Sequence, residues 1–169
     1  MVSNVAALRA ADVMTRSLVL ARPEQDLLEI EGLLFERRIS GLPVVDEGRL
    51  VGVVSANDVA RVQVLMNSLD GQVNDTLDWS QQADGFQHTD PPQFSGFRQM
   101  ITRLKVQDAM RDHVVVCPPD APLAQVAQTM LAERVHRIIV VEGEKPVGII
   151  SSLDLVKVLA TQLTEAAGN

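Results

Sequence analysis

A chain of 169 residues, 46% of them apolar, has the length and composition of one or two soluble globular domains, and no apolar run approaches the roughly 18 residues of a membrane span. A net charge of −7 argues against nucleic-acid binding, which wants Lys and Arg clustered on one face. The single cysteine, Cys117, excludes a disulfide within one chain and suits a reducing cytoplasm, and the opening Met1-Val2-Ser3-Asn4-Val5 lacks the basic-then-apolar layout of a signal peptide.

In chain order, Leu18-Val19-Leu20, ended by Arg22-Pro23, predicts a strand. Asp26 is placed to cap a helix in which Leu27, Ile30, Leu33 and Leu34 recur at helical spacing. Ile39 to Val45 predicts a second strand, Asp46-Glu47-Gly48 a tight turn, and Leu50 to Val54 a third strand closing a hairpin. Ser55 opens a helix running through Val59, Val62 and Met66. From Val62 to Phe97 there is no Lys or Arg, while Asp70, Asp75, Asp78, Asp84 and Asp90 accumulate and no period survives. This is the signature of a long loop or linker. It nevertheless holds Trp79, Phe86, Phe94 and Phe97, leaving Phe35 as the one aromatic elsewhere. Such rings either staple the loop to the molecule's own surface or anchor a partner protein.

The same order then returns: Val114 to Val116, Leu123 to Glu133 with Pro122 at its start, Ile138 to Val141, Val147 to Ile150, and Ser151 to about Leu163. A shift of 96 places lays one copy on the other without a gap, with 13 identities in the 53 positions from residue 12 to 64. A repeat of about 55 residues is marginal as a separate core, so the two copies are expected to interlock in one module. The fold class is α/β (α+β), two βαββα repeats packed with pseudo-twofold symmetry. The boundaries are 8–66 for the first repeat, 67–102 for the acidic insertion and 103–163 for the second repeat.

Gly-x-x-Ser-x-x-Asp occurs in both copies, at Gly52, Ser55, Asp58 and at Gly148, Ser151, Asp154. Ser-x-x-acid at a helix start is a capping box, with Ser accepting from the amide three residues on and the acid reaching back. It is equally a hydroxyl and carboxylate suited to a ribose diol beside a helix N-terminus. The residues alone leave both readings open.

Met14, Gly41-Leu42-Pro43-Val44-Val45-Asp46, Gly48-Arg49-Leu50-Val51-Gly52 and Ser55-Ala56-Asn57-Asp58 closely resemble a cystathionine β-synthase-type (CBS) domain. The second copy resembles its partner, with Val135-His136-Arg137-Ile138 where the first has Ile39-Ser40-Gly41-Leu42. Together they look like a tandem CBS pair, or Bateman module. The resemblance covers roughly residues 8 to 66 and 103 to 163. It implies a regulatory protein that binds an adenosyl ligand (AMP, ADP, ATP or S-adenosylmethionine) in a cleft between the repeats. By that resemblance Asp58 and Asp154 would hold ribose hydroxyls, with Ser55 and Ser151 near the ribose or phosphate. Main-chain groups around Leu42, Pro43, Ile138 and Ile139 would read the adenine edge. Ser17 to Val19 and His113 to Val115 would line the cleft, and His136 and Arg137 would contact phosphate. Position 41 is Gly against Arg137, and Pro43 stands against Ile139, so one good site and one weak or empty one are expected.

No metal site is expected, since His88, His113 and His136 lack ligand spacing. Cys117, in the slot of Ala21, reads as a small buried side chain. With no Walker-type loop and no nucleophile–base arrangement, the chain is not read as an enzyme. Partners implied are a second copy, docked through the helical faces of Leu27–Arg37 and Leu123–Glu133, and a regulated protein of unknown identity. The alternative is an interaction scaffold with empty clefts that recruits its partner through the 67–102 insertion, which is similar to that of small plant CBS-pair proteins linked to thioredoxin regulation.

Overall fold

The computed structural model describes residues 7–71 and 103–167. The elements run α1 (Ala10–Val13), α2 (Leu27–Arg37), β1 (Gly41–Asp46), β2 (Arg49–Ser55) and α3 (Ala56–Gly71) in the first copy. The second copy has α4 (Val106–Ala109), β3 (Val116–Cys117), α5 (Leu123–Ala132), β4 (Arg137–Glu142), β5 (Lys145–Ser151) and α6 (Ser152–Ala167). The acidic, aromatic segment 72–102 lies outside the described residues.

Helices α2 and α5 each bury one stripe. Leu27, Ile30 and Leu34 of α2 and Leu123, Val126 and Met130 of α5 are the inward positions, three or four residues apart as a 3.6-residue turn requires. Full burial of each such side chain stabilises by about 1.5–3 kcal/mol. The β1–β2 turn places both Glu47 (φ 46°) and Gly48 (φ 82°) in the left-handed region, the requirement of a two-residue hairpin turn matched to strand twist. In the second copy β4 and β5 are antiparallel from Arg137 opposite Ser151 to Glu142 opposite Lys145, with an irregularity between Val140 and Val141. Strand β3 joins β4 in parallel, Val116 opposite Ile139.

The described chain clusters into two compact units, and neither is one repeat. The first draws on the described parts of Met1–Leu20, Pro43–Val53 and Arg111–Asn169; the second on those of Ala21–Leu42 and Val54–Met110. The short leading helices, which periodicity did not reveal, explain this. Helix α1 belongs with the second repeat: the Ala10 N–H donates to the Ala121 carbonyl at 2.9 Å, Ala11 to Pro119 at 2.8 Å, and Leu123 to Leu8 at 2.9 Å. Helix α4 makes the same three bonds 96 places away, Val106 to Gln25, Gln107 to Pro23 and Leu27 to Leu104, at 3.0, 3.0 and 2.9 Å. Thr15 and Ile149 exchange a pair of backbone bonds, as do Arg111 and Val53. In the first unit Ala10 and Met14 join Ala121, Val126, Met130, Ile138, Val140 and Ile150 in one buried cluster. In the second, α4 packs against α2 and α3 and buries Val106 and Ala109.

Three expectations are corrected. Leu18–Leu20 is not a strand; the first copy has a two-stranded sheet and the second a three-stranded one. The copies differ there by one donor. Ile139 donates its N–H to the Val115 carbonyl at 3.2 Å, and its counterpart Pro43 has no N–H to give Val19. Asp26 does sit at the N-cap of α2, but its side chain makes no capping bond and instead takes the Lys105 ammonium at 2.6 Å. Helices α3 and α6 run to Gly71 and Ala167, several residues past their predicted ends.

Candidate functional site

Both Ser-x-x-Asp motifs fold as capping boxes. In the second copy the Ser151 N–H and hydroxyl donate to Asp154 Oδ2 at 2.9 and 2.6 Å, and the Asp154 N–H donates to Ser151 Oγ at 3.3 Å. Ser55 and Asp58 make the same three bonds at 3.0, 2.5 and 3.3 Å. The capping reading is therefore realised twice, yet it consumes one carboxylate oxygen only. Oδ1 of Asp154 meets the Lys157 ammonium at 3.0 Å, and Oδ1 of Asp58 lies 3.6 Å from Arg61. These two cations are neighbours of the acid that motif reading missed; a base three residues after the acid in both copies was the available signal.

The two stations differ in access. The Asp58 side chain is 2% exposed and that of Asp154 is 15% exposed, while both basic partners reach into solvent. Burial pushes the Asp154 carboxyl up, but the Ser151 hydroxyl and amide and the Lys157 ammonium outweigh it and hold the group below its usual value. Asp154 is thus an anion across the physiological range.

The first unit holds Asp154 and several of the other predicted residues. The β4–β5 register sets Arg137 opposite Ser151, and the Ser152 N–H donates to the His136 carbonyl at 3.0 Å, tying the start of β4 to the start of α6. His136 and Arg137 are exposed; Ile138 is fully buried, so only its main chain could meet a ligand. Val115 reaches β4 through its bond from Ile139. His113 follows the Arg111–Val53 bridge by two residues, and Ser17 follows the Thr15–Ile149 bridge by the same interval. Val19 is half-buried and Pro43 buried, both in the first unit. Leu42, Ser55 and Asp58 belong to the second unit, with Leu42 2% exposed. There Gly41 allows a close approach: a Cβ would lie 3.1 Å from the Val54 carbonyl oxygen and 3.4 Å from Ser55 Cβ. In the second copy this slot carries the Arg137 side chain.

The CBS-domain family pattern matches residues 10–65 and 106–161, together more than half of the chain. The chain belongs to the CBS-domain family. It is 26% identical over 165 residues to the uncharacterised protein MJ1232 of Methanocaldococcus jannaschii, covering 97% of this chain but 44% of that protein's length. Solved CBS pairs share the fold. The CBS domain pair of protein MJ0100, crystallised with 5'-methylthioadenosine and S-adenosyl-L-methionine, superposes with a TM-score of 0.66 at 20% identity, covering 92% of this chain and 98% of that one. CBSX2 in complex with AMP superposes with a TM-score of 0.63 at 24% identity, covering 90% and 96%. Among the described residues no helix is long and apolar enough to cross a membrane, and no three His, Cys, Asp or Glu side chains group as metal ligands.

Proposed function

We propose that this CBS pair is a non-catalytic, cytoplasmic regulatory protein that binds an adenosyl ligand at the Asp154 station and transmits its occupancy to a partner protein. The carrying observation is the half-open carboxylate: Ser151 fixes Oδ2, leaving Oδ1 to exchange a surface Lys157 for a ribose diol. Displacing an exposed ion pair costs about 0–1 kcal/mol, so the exchange is cheap. Arg137 and His136, at the adjoining strand start, supply donors for a phosphate or carboxylate. AMP, ADP, ATP and S-adenosylmethionine all carry the required diol, and the AMP held by CBSX2 and the S-adenosyl-L-methionine and methylthioadenosine held by MJ0100 support this class. Asp58, sealed beneath Arg61, is the weak or empty counterpart.

Titration of the folded chain with each of these ligands, read by calorimetry and thermal shift, tests the proposal. A bound ligand at a hundred times its Kd raises stability by about 2.7 kcal/mol. Asp154→Ala should weaken binding by at least about tenfold, the equivalent of 1.4 kcal/mol, while Asp58→Ala leaves it unchanged. If no adenosyl compound binds at millimolar concentration, or if Asp58→Ala alone abolishes binding, this assignment fails.

The same protein is proposed to act as a homodimer. The outer face of α6 leaves Leu153, Val156, Leu159 and Leu163 between 55% and 62% exposed, spaced three or four residues apart as one stripe. The corresponding α3 positions are Asn57, Ala60, Gln63 and Asn67, so the stripe is specific to the second copy. Phe35 on α2 and Leu131 on α5, equivalent by the 96-place shift, are 87% and 79% exposed and add apolar area on the faces expected to pair.

A further inference from the structure

The exchanged leading helices keep the 96-place register in every backbone bond, but the charges around them do not. In the second unit Lys105, which opens α4, donates to Asp26 at 2.6 Å. The hydrogen bond to Asp26, and the fields of Asp26, Glu29 and Asp108, together hold its ammonium above the usual lysine value. In the first unit the equivalent cation is Arg9, which opens α1. Its amide donates to Asp12 at 2.8 Å, as the Lys105 amide does to Asp108 at the same distance. The two other counter-charges are gone: Pro122 stands where Asp26 stands and Gln125 where Glu29 stands. The Arg9 guanidinium instead donates Nη1 to the main-chain oxygen of Asp120 at 3.2 Å.

A groove opens beside it. Its volume is about 380 Å³, and Arg9, Gln125 and Thr129 contribute polar groups while Cys117, Pro122 and Val126 contribute apolar ones. That volume is at the small end for small-molecule pockets, which combine apolar walls with a few orienting polar groups. Neither Ser151 nor Asp154 lines it, so it is separate from the adenosyl station. Asp120 also lines the groove, which disfavours a doubly charged phosphate there. A planar, singly charged carboxylate suits the guanidinium fork.

We propose that this groove is a second ligand site, taking a small organic monocarboxylate whose charged end meets Arg9 and Gln125 and whose apolar body lies against Cys117 and Val126. Replacement of Asp26 and Glu29 by Pro122 and Gln125 is what frees the cation for an outside anion.

Cys117 is the only cysteine of the chain, so alkylation reports on this groove alone. The test measures iodoacetamide labelling of the full chain by mass spectrometry with sodium benzoate as probe, against sodium chloride of equal ionic strength. Amide NMR shifts of Gln125 and Thr129 serve as a second readout. At ten times its Kd benzoate should slow labelling by about tenfold and shift both amides. Arg9→Gln should abolish both effects. Gln125→Glu, which restores the acid of the first copy while leaving Arg9 in place, should abolish them too, and Lys105→Gln should leave them intact. The proposal is overturned if millimolar benzoate neither protects nor shifts, or if protection survives Arg9→Gln. It is also overturned if inorganic phosphate protects as well as benzoate, which would mean simple anion attraction. AMP shifting Gln125 and Thr129 with no effect at Ser151 also overturns it, because the groove would then be the adenosyl site itself.

Discussion

At Gly148 the absence of a side chain makes room for another. A Cβ built there would fall inside the van der Waals envelope of Met14, whose side chain belongs to the buried cluster of the first unit. Gly148→Ala must displace Met14 from a packed site, and overpacking of this kind costs about 1–3 kcal/mol. A urea melt should show the loss, and Met14→Ala in the same background should recover part of it, because the colliding atoms are removed. Asp154 makes a second residue-scale prediction. Its folded-state pKa is lowered, so the stability it contributes is fully present above the ordinary carboxylate value and is lost as pH falls through the depressed one. Unfolding midpoints of wild type and Asp154→Asn should differ most near neutrality and converge in acid. Should the gap stay constant down to strongly acidic pH, the ionised carboxylate is not the source of the capping strength.

Among the elements, Pro43 decides whether a strand exists. Pro43→Val supplies the N–H that Ile139 supplies in the second copy, so the new amide should acquire hydrogen-exchange protection as Leu20–Ala21 pairs beside β1. Free exchange at that amide would show that something other than the missing donor keeps the segment unpaired. Why this was hidden from sequence is plain: the apolar run of Leu18-Val19-Leu20 is as strand-like as its second-copy counterpart, and a ladder bond depends on a donor 24 residues away. Helices α2, α3, α5 and α6 and both hairpins were legible, because their signals are local: a 3.6-residue stripe, or a glycine-containing turn between apolar strands. The four-residue helices α1 and α4 carry too few positions for any period. Of the candidate site, the Ser–Asp pairs were legible as chemistry, but two readings fit one spacing. In the structure the cap takes Oδ2, and Oδ1 faces Lys157 in one copy and Arg61 in the other. The unequal exposure of Asp58 and Asp154 could not be read from identical motifs, because it depends on how the chain packs above them.

For the whole molecule, the outer stripe of α6 makes association measurable. Leu159→Lys places a charge in the middle of Leu153, Val156 and Leu163 without touching Leu155 on the half-buried face of the helix. Sedimentation should convert a dimer to a monomer, with an unchanged unfolding midpoint at low protein concentration. A wild-type monomer at micromolar concentration would refute the dimer. The exchange of leading helices has a separate consequence, in the order of synthesis. Helix α1 is made before its hydrogen-bond partners: Pro119 and Ala121, and Ile149 for Thr15 beside it, are added over a hundred residues later. At about 5–20 residues per second, α1 stays undocked for several seconds or more. The first repeat meanwhile waits for α4, which is made only after the acidic insertion. Neither unit is complete until translation has passed into the other repeat, so the duplicated chain matures late and nearly all at once, with the insertion acting as an interval in time.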